Sequence, residues 1–154
     1  MPVIAITAHV LAVIIWIGGM FFGFVALRPA MRGMDTLAAA RFWCTALGRF
    51  LPWVWAAIVV LLASGTYMVF NSFDGFAQLP WFVQFMMGIG IFMMMLVAHL
   101  TFSAFKKLKR AVAADDAALA AKALRQIRII MDVNLILGLL IVVVVMMGAY
   151  VTTE

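Results

Sequence analysis

The sequence predicts an all-α integral membrane four-helix bundle with helical cytoplasmic extensions. Three observations carry that expectation. The chain has 154 residues, of which 68% are hydrophobic and 11% charged, whereas a soluble domain is roughly half apolar and a quarter charged. Four apolar stretches each reach the ~20 residues that a bilayer-crossing helix needs. All eleven Lys and Arg fall into two clusters, Arg28 to Arg49 and Lys106 to Arg128, which lie between or beside those stretches. A chain of this length makes one domain.

The first span is expected at about residues 3–27. It holds one polar ring, His9, and no charge, and Arg28-Pro29 should end it. No basic residue precedes it and no small-residue cleavage site follows a short core, so it reads as a retained span and not a signal peptide. The second span, 50–70, follows a helix that Asp35 and Thr36 can cap. Pro52 should kink it, and Trp43 and Trp53 should join an aromatic belt at the headgroups. Asn71-Ser72-Phe73-Asp74-Gly75 reads as a turn. The third span, 81–105, starts after Pro80 and runs into Lys106, Lys107, Lys109 and Arg110. Asp115-Asp116 supplies a turn and a new cap, Ala117 to Arg128 forms an amphipathic lead-in, and the fourth span covers 129–150. Val142 to Val145 is β-branched, but a backbone in lipid must satisfy itself, so helix prevails.

The loops fix an expected orientation. Loops one and three carry every basic residue, so the positive-inside rule places them in the cytoplasm and both termini outside. The basic residues flank apolar spans without an aromatic-rich basic surface, which excludes a nucleic-acid partner. A single cysteine, Cys44, excludes an internal disulfide and a Cys-pair metal site.

Polar residues inside spans mark candidate sites. His9 lies roughly 8 Å into its span and His99 roughly 25 Å into the third from the same side. The two imidazoles therefore define separate sites, about 17 Å apart in height. Around His9, the face runs through Trp16, Gly19 and Gly23. Either a flat cofactor lies on the glycines with His9 as axial ligand, or Gly19 and Gly23 serve close helix packing. Tyr67, Met86, Met87, Met146 and Met147 are candidate further ligands. Around His99, Asp132 is expected as the carboxylate that orients the imidazole, or else pairs with Arg128 one turn away. Arg28, Arg41 and Arg49 either meet an anionic group or anchor the inner face. The thirteen methionines suit Cu(I) or haem iron, or fill the core.

His9, Trp16-Ile17-Gly18-Gly19-Met20-Phe21-Phe22 and Leu27-Arg28-Pro29 together resemble the first helix of the copper-resistance protein D (CopD) family in its short four-helix members. Arg41-Phe42, Gly48-Arg49-Phe50, Ser64-Gly65, Asp132 and Gly138 fit the same pattern. The resemblance covers most of the chain and implies a bacterial inner-membrane location and copper handling. The HemJ-type protoporphyrinogen oxidases are similar in fold and carry a first-helix histidine associated with a b-type haem; His9 and Trp16 match that pattern. After Trp81, Phe82-Val83-Gln84-Phe85 lacks the basic residue that type places there.

The leading expectation is a small membrane protein that binds haem b through His9, Trp16, Gly19, Arg28 and Arg49. It would transfer electrons or oxidise a lipid-soluble or porphyrin-like partner. His9 and His99, the latter backed by Asp132, are the expected metal ligands. The alternative is a copper carrier using His9, methionines and His99. A third reading is a cofactor-free assembly subunit. The close-packing glycines suggest a homodimer.

Overall fold

The computed structural model describes residues 2–73 and 75–151. Asp74 of the expected turn and the tail residues 152–154 lie outside that range. The described chain is helical throughout, apart from short turns, and contains no strand. Four helices are long and apolar enough to cross a membrane: α1 Val3–Ala30, α2 Thr36–Ser72, α3 Trp81–Ala113 and α4 Ala117–Val151. The chain is a multi-pass membrane protein with an all-α bundle fold.

Local chemistry sets the boundaries. The Asp35 carboxylate accepts hydrogen bonds from the backbone of Leu37 at 3.0 Å and Ala38 at 3.2 Å, satisfying donors that open α2. Asp116 does the same for Leu119 at 2.9 Å. Asp115 turns the chain between α3 and α4 with φ of 51°, a conformation that Asp tolerates better than most residues.

Two expected boundaries shift. Arg28-Pro29 does not end the first helix, which passes through a π-helical turn at Gly23–Leu27 and continues to Ala30. Outside the turns at 31–35 and 114–116, the basic residues stand within helices. The cytoplasmic extensions predicted by sequence are continuous with the spans, so α2 runs 37 residues and α4 runs 35. A second π-helical turn, Leu100–Ala104, joins the two parts of α3.

The helices run up and down. Helix α1 packs on α2 and α4, α3 packs on α4, and the basic-end part of α3 also meets α2. Glycines let neighbours close in. A Cβ at Gly19 would collide with the Phe50 ring, and one at Gly138 with Ile17. Gly23 lies against Met131 and Trp43. Gly19 and Gly23 thus serve packing within the chain. Trp43 also departs from expectation. It is 2% exposed and sits in the core, while Trp53, at 63%, faces outward as a belt residue would.

Three buried clusters stack along the bundle. The basic-end cluster joins Trp43, Leu47, Ala104, Leu108, Ala120 and Ile127. The central cluster joins Trp16, Met20, Val54, Met93, Val97 and Leu135. The far cluster joins Val69, Leu79, Phe82 and Val83. The outer surface carries large apolar side chains such as Ile14, Phe22, Val59, Ile91 and Ile136. Water would penalise that surface, and a bilayer accommodates it.

Candidate functional site

His9 stands at the end of the bundle opposite the basic loops, half-buried on α1. Its Nδ1 lies 2.9 Å from Ser64 Oγ on α2. The Ser64 hydroxyl donates to the Val60 carbonyl at 2.6 Å, with Leu61 O a longer second acceptor at 3.4 Å. A serine hydroxyl has one proton. The shorter contact, to Val60, has the better claim on it, and Nδ1 of His9 is then the donor to Ser64. The hydrogen-bond network therefore assigns the Nδ1–H tautomer. Nε2 keeps its lone pair, as metal-ligating imidazoles do when a partner holds the other nitrogen. Gly65, next along α2, leaves room for the ring: a Cβ there would stand 3.6 Å from His9 Cε1.

Trp16 lies two helical turns from His9 on the same face of α1. It is 3% exposed, and its indole N–H has no hydrogen-bond partner. Gly19 is filled by the Phe50 ring, so the flat surface expected for a cofactor is occupied by a side chain of the protein. Of the further ligands considered, Tyr67, Met87, Met146 and Met147 are exposed on the bundle's outer surface and Met86 is half-buried.

His99 ends the regular part of α3 and is exposed. Its Nε2 lies 3.0 Å from Gln126 Nε2. An amide nitrogen only donates, so this imidazole nitrogen accepts and its lone pair is engaged. Asp132, expected beside His99, is elsewhere. It stands six residues beyond Gln126, which is about 9 Å along α4 and roughly a third of a turn around it. Its Oδ1 pairs instead with Arg28 Nη1 at 2.7 Å, close enough for an ion pair but not aligned as a hydrogen bond. Arg28 also donates to the Arg128 carbonyl at 3.2 Å and lies 5.2 Å from the Phe24 ring centroid. Its charge is thus neutralised within the chain. Arg49 is exposed on α2, and Arg41 pairs with Asp115 at 2.6 Å.

The two histidines are well separated. Ile17 and Met93 both close on Gly138, which puts them on one level. His9 is eight residues from Ile17 and His99 is six from Met93, in opposite directions. That makes about 12 Å plus 9 Å along the bundle, so the imidazoles cannot share one ion. Among the described residues, no group of three or more His, Cys, Asp and Glu side chains gathers to hold a metal.

A family model described as copper resistance protein D matches residues 44–147, more than half of the chain. This chain belongs to the copper resistance protein D family. The matched segment of this CopD-family chain takes in Ser64, His99, Asp132 and the cores of α2, α3 and α4. Helix α1, with His9, precedes it. No curated protein and no solved structure matches the chain.

Sequence reasoning placed His9 correctly inside a span but missed Ser64 as its partner. A signal was present, since serine in an apolar helix is rare enough to inspect. Its pairing across 55 residues, however, depends on the register between α1 and α2.

Proposed function

We propose that this CopD-family protein handles copper in the inner membrane and takes Cu(I) at His9 Nε2. The observation that carries the reading is the relay from His9 to Ser64 to the Val60 carbonyl, which leaves a lone pair available within an apolar span. Family membership supports copper as the metal. A neutral imidazole suits a monovalent soft ion in lipid, where an anionic donor would need its own partner. The positive-inside rule supports an orientation with His9 in the outer half, where it would receive copper from the outside.

The haem reading, and the HemJ likeness behind it, uses the same Nε2. It also counted on Gly19 as a flat surface, and Phe50 fills that position. The family match favours copper. Metal analysis and an optical spectrum of the detergent-purified protein separate the two. Copper uptake without a Soret band, lost in His9→Ala, is expected. A red protein with a Soret band that His9→Ala abolishes would replace the copper reading with haem.

A further inference from the structure

Of the twelve described methionines, three are shut into the core: Met20 and Met93 at 3% exposure and Met131 at 4%. The other nine are half-buried or exposed. The three belong to three different helices, α1, α3 and α4, and their heights follow from contacts on the glycines. The Met93 methyl approaches Gly138 at the level of Ile17, 3.3 Å from where a Cβ would stand, and the Met131 methyl approaches Gly23 at 3.4 Å. Met20 lies midway, three residues from Ile17 and three from Gly23. Measured along α1, the three backbone levels that they mark, at residues 17, 20 and 23, follow one another at steps of about 4.5 Å.

At the level of Met20, α4 presents Asn134 between Met131 and Gly138. Asn134 is 0% exposed. Its amide N–H donates to the Ile130 carbonyl at 3.2 Å, while its Oδ1 has no partner. Leucine would fill such a position without leaving a dipole unpaired in lipid, which is costly. The orphaned oxygen is a second observation, independent of the methionines, that indicates a ligand at this level.

We propose that Met20, Met93 and Met131 form a ladder of Cu(I) sites through the middle of the bundle, with the Asn134 amide oxygen turned to the ion at the central step. This deepens the copper reading of His9 and rests on it. Thioether sulfur is a soft donor that matches Cu(I). It is also neutral, so a site of thioethers needs no compensating cation while empty. Each rung holds the ion loosely, as conduction requires, because a strong site would not release it. With levels about 4.5 Å apart, flexible thioether arms from successive levels can reach one ion in turn. The first rung lies about 12 Å from His9 along α1, and the last lies about 8 Å short of Arg28, which Asp132 neutralises.

The test titrates detergent-purified protein with Cu(I), anaerobically, against a chromophoric Cu(I) chelator, and reads Cu–S scattering by X-ray absorption. All variants carry Cys44→Ser, which removes the chain's one thiol. The core triple Met20→Leu, Met93→Leu, Met131→Leu conserves volume, and Met95→Leu, Met146→Leu, Met147→Leu is the exposed control. The parent should bind copper at His9 and at a sulfur-rich site. The core triple should lose the Cu–S signal and at least tenfold in affinity for that second site, while the control matches the parent. Met20→Leu alone, a lighter change, should weaken the second site several-fold. Unchanged affinity and Cu–S scattering in the core triple would overturn the ladder. If copper then vanishes in His9→Ala, the His9 site stands without it. Loss in the core triple but not in His9→Ala would keep the ladder and remove His9 from the path. A parent that binds no Cu(I) would sink both.

Discussion

His9 Nδ1 sits 2.9 Å from the Ser64 hydroxyl, which itself donates to the Val60 carbonyl. One proton inventory therefore favours the Nδ1–H tautomer of a histidine inside the membrane. If that tautomer prepares Nε2 for metal, Ser64→Ala should lower Cu(I) affinity by roughly 10–100-fold, the usual effect of removing an orienting partner. Helicity and membrane insertion should be unchanged, because the span stays apolar. Chelator competition measures the affinity, and an affinity equal to the parent's would remove Ser64 from the site.

Gly19 and Phe50 lock α1 against α2. Gly19→Ala forces the Phe50 ring out of its place, and overpacking of this kind costs about 1–3 kcal/mol. The variant should melt at lower temperature in detergent. Adding Phe50→Leu should recover part of the loss. An undiminished melting temperature in Gly19→Ala would show that the ring moves aside freely.

Arg28 and Asp132 neutralise each other between α1 and α4. Asp132→Leu leaves the guanidinium without its carboxylate and should destabilise the bundle by about 2 kcal/mol. Changing both, Arg28→Met with Asp132→Leu, should restore much of that stability, since the penalty lies in the unpaired charge and not in the missing pair. Thermal melts of the two single variants and the double give the coupling. Additive losses would contradict the pair.

The four spans, the caps at Asp35 and Asp116 and the placement of the basic residues were legible because they depend on local composition and charge. The π-helical turns were not, since no single residue encodes a shift in hydrogen-bond register. Trp43 was misplaced for a related reason. A tryptophan near a span end suits the headgroup belt, and only the approach of Gly23 on α1 shows that this one is held inside. His99 and Asp132 were paired because both stand near the basic ends of their spans. Depth alone did not say which way each faces, and the angle between Gln126 and Asp132 on α4 sends them to different partners. Among thirteen methionines the sequence could not separate core from lipid-facing positions, because the helices are apolar all round and their periodicity is weak.

Orientation is open to chemical labelling. In a Cys44→Ser background, Ser72→Cys should react with a membrane-impermeant thiol reagent in intact cells, and Asp115→Cys only after the membrane is opened. That pattern follows from the placement of every Lys and Arg within the stretches Arg28 to Arg49 and Lys106 to Arg128, which lie at one end of the bundle. Labelling of Asp115→Cys in intact cells would invert the topology.

The most direct measurement is the Cu(I) affinity of His9→Ala against the parent protein, both in detergent, by anaerobic competition with a chromophoric chelator. Removing a metal ligand outright should exceed the effect of removing Ser64, so a loss of more than about 100-fold at the highest-affinity site is predicted. An affinity within a factor of two of the parent's would show that His9 does not hold the ion.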